Sequence, residues 1–168
     1  MRPTSDRARE AVFNILEHGK HTGGEGSPIP DARVLDAFAG SGALGIEALS
    51  RGAAHVTFLD TDPAALRAIE WNLTSVKGML QATIRRTSCT TPPRASTPCD
   101  LVFIDPPYGQ GLAAPALAAL AEAGWVAADA LCVIEQKHDE IFDLPDGFEL
   151  ISDRRYGKAK MLILSYTG

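Results

Sequence analysis

No apolar run in this chain approaches the roughly 18 residues that a membrane-spanning helix needs, which excludes a helical membrane protein. The opening segment, MRPTSDRARE, is charged and has no apolar stretch of the secretory kind, so a signal peptide is not expected and a cytoplasmic setting is. Cysteine is scarce. Cys89, Cys99 and Cys132 are odd in number and lack metal-ligand spacing, which argues against a disulfide framework and for a reducing compartment. Positive charge is not in excess either. Lys and Arg total 16 against 21 Asp and Glu, a net of −5, so a surface that is basic throughout, of the kind nucleic-acid binders show, is missing. Any nucleic-acid contact must come from local groups, and two exist: Arg85, Arg86 and Arg94 in mid-chain, and Arg154, Arg155, Lys158 and Lys160 near the end. There is no internal repeat.

What is present suits one compact unit. A chain of 168 residues can bury roughly 70% of its unfolded surface, and 45% hydrophobic with 22% charged residues is a globular balance. We expect a single domain over 1–168, with an N-terminal helix and flexible loop in 1–30 and a catalytic sheet in 31–168.

The spacing of Ala8, Ala11, Val12, Ile15 and Leu16 predicts a helix over 5–17, capped by Thr4 or Ser5. The Gly/Pro-rich stretch 18–30 predicts a mobile loop. Strands are expected at 33–37, 55–60, 82–87, 100–105, 130–136, 148–155 and 160–166. Helices are expected at roughly 43–51, from Asp62-Pro63 along the Leu66, Ile69, Leu73, Val76, Leu80 spacing, and at about 112–123. Strands that alternate with helices predict an α/β fold with a mostly parallel sheet covered on both faces. The last two strands, joined by YGKAK, predict an antiparallel hairpin. In such sheets ligands sit beyond the carboxyl ends of the strands, and three features converge there: Asp36 to Gly42, Asp60 to Asp62, and Asp105 to Tyr108.

Gly40-Ser41-Gly42-Ala43-Leu44-Gly45 matches G-x-G-x-x-G between a strand and a helix, and Asp60 follows Gly40 by 20 residues, where a ribose-binding acid is expected. Both nicotinamide dinucleotides and S-adenosylmethionine use such a loop. Asp36, just ahead of the turn, would repel a pyrophosphate and attract the ammonium of a methionine moiety. It could equally cap the turn backbone. Asp105-Pro106-Pro107-Tyr108 ends the apolar strand 100–105. Its prolines stiffen the loop and remove two donors, which leaves the Asp105 carboxylate and the Pro106 carbonyl as fixed acceptors for one –NH2 group. Tyr108 offers a face on which a base can stack. Two acceptors on an exocyclic amine favour a nitrogen lone pair aimed at a methyl sulfonium, which is catalysis by positioning and electrostatics.

These residues resemble a known family. S-adenosylmethionine-dependent amino methyltransferases carry a D-x-F-x-G-x-G loop, here Asp36-Ala37-Phe38-Ala39-Gly40-Ser41-Gly42, and an (N/D/S)-P-P-(Y/F) motif, here 105–108. The opening Arg2-Pro3-Thr4-Ser5-Asp6-Arg7-Ala8-Arg9-Glu10 with Val12-Phe13-Asn14, and the run from Leu35 to Gly52, resemble the RsmD-type bacterial 16S ribosomal RNA guanine-N2 methyltransferases over nearly the whole chain. The resemblance implies a Rossmann-like class I methyltransferase fold of seven strands, with strands six and seven as the terminal hairpin. It implies S-adenosylmethionine held by Asp36, Phe38, Gly40, Ser41, Gly42, Asp60 and Asp62, without a metal. It implies a flipped guanine at Asp105, Pro106, Pro107 and Tyr108, and 16S ribosomal RNA in an assembled small subunit as the partner of a monomeric enzyme. Tyr156-Gly157-Lys158 is expected to line the RNA side. Members of that family usually carry a basic segment ahead of the RPT run, and here the chain starts at that run. At the adenine side the chain reads Ser88-Cys89, where the family commonly has a short polar or acidic residue followed by Ala; Ser88 could still accept from the adenine amine.

Other readings predict different sequences. An adenine-N6 DNA methyltransferase shares the DPPY chemistry but needs extra mass to read the major groove, for which this chain has no room. A nicotinamide-linked oxidoreductase leaves DPPY unexplained. A cofactor-binding module with lost RNA docking would not need DPPY intact. His18 and His21 lack partner ligands, the cysteines read as inert thiols, and Trp71 and Trp125 as packing or helix-surface residues.

Overall fold

The computed structural model describes residues 6–18 and 26–168. The proposed caps Thr4 and Ser5, the RPT run, and most of the Gly-rich stretch lie outside those residues. Helix α1, Asp6–His18, is amphipathic and buries Ala8, Val12, Phe13 and Leu16. It is followed by β1 (Arg33–Ala37), α2 (Ala43–Ser50), β2 (His55–Asp60), α3 (Pro63–Ser75), β3 (Ala82–Arg86), β4 (Cys99–Ile104), α4 (Ala113–Glu122), β5 (Val126–Lys137), β6 (Phe148–Tyr156) and β7 (Ala159–Tyr166).

The seven strands form one sheet in the order β3-β2-β1-β4-β5-β7-β6. The pairs from β3 to β5 are parallel. β7 runs antiparallel to both β5 and β6, which makes the terminal hairpin expected from the sequence. The strand order reverses between β1 and β4: the chain passes outward through β2 and β3, then returns to the other side of β1. Such a reversal opens a crevice at the carboxyl ends of the strands.

Alternation along the strands divides the core between two faces. Val34, Val56, Phe58, Leu101, Phe103 and Val133 point to the face covered by α1, α2 and α3. Leu35, Leu59, Val102, Ile104, Cys132 and Ile134 point to the face covered by α4. Both faces of the central strands are therefore apolar, which is why β1, β2 and β4 read as short continuous hydrophobic runs.

Two boundaries differ from the sequence reading for identifiable reasons. The Leu66-to-Leu80 periodicity runs past the end of α3. The helix closes at Ser75 in a Schellman turn: Lys77 N donates to Thr74 O at 3.1 Å and Gly78 N to Leu73 O at 2.8 Å. Lys77 takes φ 58°. Val76 and Leu80 consequently face solvent rather than the core. β5 begins four residues before the expected 130. Its start pairs Val126 with Cys99, the register shifts after that pair, and the exposed Asp129 has φ 66°, so the apolar signal appears only from Ala130.

Candidate functional site

Four loops, after β1, β2, β3 and β4, enclose a cavity of about 440 Å³ at the carboxyl edge of the sheet. That volume falls in the range of roughly 300–1,000 Å³ usual for small-molecule sites. Its walls include Asp36, Phe38, Gly40, Ser41, Asp60, Asp62, Ser88, Asp105, Pro106 and Pro107, ten of the twelve site residues expected from the sequence. Gly42 and Tyr108 are not on the wall. A Cβ on Gly42 would stand 3.2 Å from Ile69 and 3.3 Å from Phe58, so this glycine faces the packed interior. Tyr108 is half-buried beyond the two prolines.

The loop after β1 is tied at nearly every residue. Phe38 adopts φ 56°, and its backbone amide opposes the burial-driven rise of the Cys89 pKa. Ala39 N donates to Leu59 O at 2.9 Å, and Gly42 N to Ala39 O at 2.8 Å. Gly40 has φ 60° and Gly42 φ 82°, conformations that cost glycine little. From α3, Asn72 Nδ2 donates to Ser41 O at 2.9 Å. The third glycine of the pattern does a different job. A Cβ on Gly45 would come within 2.5 Å of Phe58 Cε1 and 2.8 Å of Val56 Cγ1, so its absence lets α2 lie directly on the sheet.

The carboxylates have distinct settings. Asp36, at the end of β1, is 1% exposed and Oδ2 accepts the N–H of Gly45 at 2.9 Å. It thus caps the first turn of α2 and lines the cavity at once. Burial pushes its pKa well above the ordinary range, the Gly45 bond opposes that, and the negative charges of Asp105 and Asp60 add to the rise. A cationic group entering the cavity would stabilise the ionised form. Asp60 Oδ2 accepts from Gly40 N and Oδ1 from Asp62 N, both at 2.9 Å. Each oxygen retains a second acceptor site for a ligand hydroxyl. Asp62 Oδ1 accepts from Ala64 N at 2.9 Å and caps α3. Ser88 Oγ shares a 2.8 Å hydrogen bond with Thr90 Oγ1, and the two flank the inert thiol of Cys89, which burial pushes up to about 12.

Asp105 stands one residue past β4, with Pro106 buried and Pro107 exposed. Gly109 and Gly111 follow with φ 76° and 61°. Sequence reasoning did not single out what holds this loop from outside. Glu140 Oε1, beyond the end of β5, accepts the N–H of Gly109 at 2.6 Å, and the buried Gln136 donates from Nε2 to Glu140 O at 3.0 Å. Thr61, Thr87, Thr90, Gln110 and Leu112 also line the cavity without having been anticipated. Their signal was positional: Thr61 and Thr87 directly follow parallel strands. Among the described residues no group of three or more His, Cys, Asp or Glu side chains could hold a metal ion, and no helix is long and apolar enough to cross a membrane. Trp125 is buried and donates to Pro93 O at 2.8 Å, whereas Trp71 lies 76% exposed on α3.

Comparison with known proteins gives consistent matches. The family described as conserved hypothetical protein 95 matches residues 1–165. Ribosomal RNA small subunit methyltransferase D of Escherichia coli K12 is 38% identical over 137 residues, which take in 82% of this chain and 65% of that protein's length. This chain therefore spans just under two thirds of that relative. The protein of the same name from Haemophilus influenzae is 35% identical, over 94% of this chain and 79% of its own. A solved Escherichia coli structure described as a candidate methyltransferase, yhhF, superposes with a TM-score of 0.83 at 31% identity, covering 99% of this chain and 90% of its own.

Proposed function

We infer the function from one premise, that the chain belongs to the RsmD family, and propose that it is a methyltransferase acting on small-subunit ribosomal RNA. More finely, we propose that it transfers the methyl group of S-adenosylmethionine to the N2 amine of a guanine in 16S ribosomal RNA. The observation that carries this reading is the shared cavity. The glycine loop with Asp36 and Asp60 forms one wall, and Asp105 with Pro106 forms another.

The cavity fits the cofactor chemically. Asp36 is a buried carboxylate that favours a cation, so it holds the methionine ammonium. The second acceptor sites of Asp60 take the ribose hydroxyls, and Ser88 takes the adenine amine. The loop from Phe38 to Gly42, with Asp62 beside it, lets the backbone approach the ligand closely. S-adenosylmethionine supplies a methyl group on a sulfonium, already electrophilic. The protein therefore needs to orient an amine and neutralise charge rather than provide a strong base.

Asp105 and the Pro106 carbonyl accept the two N2 hydrogens of a guanine turned out of its stack, and Tyr108 supports the base with Pro107. As the nitrogen acquires positive charge, the Asp105 carboxylate stabilises it and takes its proton. The two prolines keep both acceptors in place because neither can donate or swing at φ. The single domain over 1–168 carries the whole active site on this reading, and the reaction takes place in the cytoplasm, with the enzyme as a monomer on an assembled subunit.

The test is transfer of labelled methyl groups to unmodified small ribosomal subunits, naked ribosomal RNA and unmethylated duplex DNA, followed by nucleoside analysis. Label in N2-methylguanosine is expected, strongest with the subunit. Label in N6-methyladenine of DNA would overturn the RNA assignment. Cofactor binding with no label in any acceptor would instead favour a binding module.

A further inference from the structure

Two groups of cations stand at the carboxyl edge, one at each end of the sheet. Arg85 and Arg86 close β3, beyond the wall that carries Asp60, and Arg86 Nε donates to Thr61 O at 3.3 Å. That bond ties the group to the loop after β2. At the other end lies the hairpin turn. β5 ends at Lys137, which pairs with Ala159 at the start of β7, and Ala159 pairs in turn with Tyr156 at the end of β6. The segment Arg154 to Lys160 holds four cations and no anion. Arg154, Arg155 and Lys158 are exposed, and none of the three is in an ion pair among the described residues.

This turn is joined to the loop that carries Asp105. Lys160 Nζ donates to Glu140 O, the Glu140 carboxylate accepts from Gly109 N at 2.6 Å, and His138 N donates to Lys158 O at 2.9 Å. Asp139, just past β5, is paired with Lys137 at 3.7 Å, and Asp153 precedes Arg154 on β6. On a protein of net charge −5, such an unneutralised cluster next to one wall of the cleft is a local exception.

We propose that the β6–β7 turn, through Arg154, Arg155 and Lys158, is the docking surface for the RNA phosphates that flank the target nucleotide. The proposal rests on the reading of this chain as an RNA-modifying enzyme and names the part of the surface that holds the RNA. The β3 group is not that surface. The hairpin is linked through Glu140 to Gly109 in the loop that carries Asp105, whereas Arg86 is tied to Thr61 in the loop after β2. Phosphate contacts of this kind set register and orientation without reading sequence. Their hallmark is a steep salt dependence, with a log–log slope of roughly −0.7 per phosphate neutralised on a single strand.

The test compares two triple variants of the full chain with the same charge change. Arg154→Glu, Arg155→Glu, Lys158→Glu is set against Arg67→Glu, Arg85→Glu, Arg94→Glu. Each is titrated with unmodified small ribosomal subunits at several salt concentrations, and S-adenosylhomocysteine affinity and Tm serve as integrity checks. The hairpin triple is expected to bind the subunit at least about tenfold more weakly, with a slope shallower by about 2, and to keep its cofactor affinity. The matched triple stays within about twofold on the same scale. An unchanged slope in the hairpin triple, or equal losses in both triples, would overturn the proposal. If the hairpin triple does not fold, Lys158→Glu alone, next to Gly157 at the exposed tip, gives the same comparison with a slope change of about 0.7. Wild-type protein that methylates no RNA would overturn the functional reading itself. Wild-type methylation with an unaltered hairpin slope would overturn the docking surface alone.

Discussion

Asp60 Oδ2 accepts the amide N–H of Gly40 across 2.9 Å, so the acid that ends β2 fixes the turn that follows β1. Its other oxygen holds Asp62 N. The side chain therefore organises the cavity before any ligand hydroxyl reaches it. Asp60→Ala is expected to weaken S-adenosylhomocysteine binding by at least about tenfold, since backbone bonds to a charged acceptor contribute about 1.5–3 kcal/mol each and ligand contacts are lost as well. Calorimetric titration measures this. Affinity equal to wild type would mean that neither the clamp nor a ribose contact matters.

Gly45 is required by packing rather than by φ. Gly45→Ala places a Cβ 2.5 Å from Phe58 Cε1, inside the contact distance of any real side chain. Both Phe58 and Val56 are fully buried, so neither can move aside freely. The expected cost is about 1–3 kcal/mol, the usual range for overpacking, read as a lower Tm and denaturation midpoint. Weaker cofactor binding should follow through the Asp36–Gly45 bond. An unchanged Tm would show that α2 can lift off the sheet without penalty.

The residues that could be read from sequence were those with a local pattern. G-x-G-x-x-G, the spacing from Gly40 to Asp60, and DPPY each lie within one segment, and the strand-end rule brings the segments together. The central strands β1, β2 and β4 were legible because their buried runs are nearly continuous. What escaped was set by contacts distant in sequence. Glu140 meets Gly109 across 31 residues, and Asn72 meets Ser41 across 31 as well. Neither belongs to a recognisable pattern. The Schellman stop at Lys77 was hidden because the apolar spacing continues through Val76 and Leu80, and a lysine gives no sign of a positive φ. The doubled role of Asp60 was hidden for the opposite reason: the ribose reading already explained the residue.

On the proposed reading Asp105 serves the amine and not the cofactor, and the two roles separate kinetically. Asp105→Ala and Asp105→Asn should both lower kcat by at least about 100-fold, the scale expected for a lost transition-state acceptor, with S-adenosylhomocysteine affinity within a few-fold of wild type. A modest gain in affinity is expected within that range, because Asp105 raises the pKa of Asp36 and its removal makes Asp36 easier to ionise. Parallel loss of turnover and cofactor affinity would place Asp105 in the cofactor site or the fold instead.

Asp36 gives the protein a pH dependence of defined sign. Its carboxyl is held well above the ordinary range, first by burial and then by Asp105 and Asp60, against the opposing Gly45 bond. Below the ordinary carboxylate pKa of about 3.9, folded and unfolded chains both carry the proton and this group makes no difference to the slope. Above it the unfolded chain releases the proton and the folded chain keeps it. The ligand-free protein therefore loses stability as pH rises, until the raised folded pKa is passed and the loss levels off. Asp36→Asn is neutral at every pH and retains an oxygen for Gly45 N. The variant should be more stable than wild type at neutral pH, by on the order of 1 kcal/mol or about 2–4 °C in Tm for a chain of this length, with the gap closing toward acid. The same variant should bind S-adenosylhomocysteine at least about tenfold more weakly, because a charged acceptor for its ammonium is gone. In wild type, binding should expel the Asp36 proton, visible as a calorimetric heat that varies with the ionisation enthalpy of the buffer. Melting curves of wild type and Asp36→Asn across pH test the first claim, and paired-buffer calorimetry tests the second. A variant no more stable than wild type at any pH, together with binding that releases no proton, would mean that Asp36 is already ionised in the empty cavity and that its cap on α2 is its main contribution.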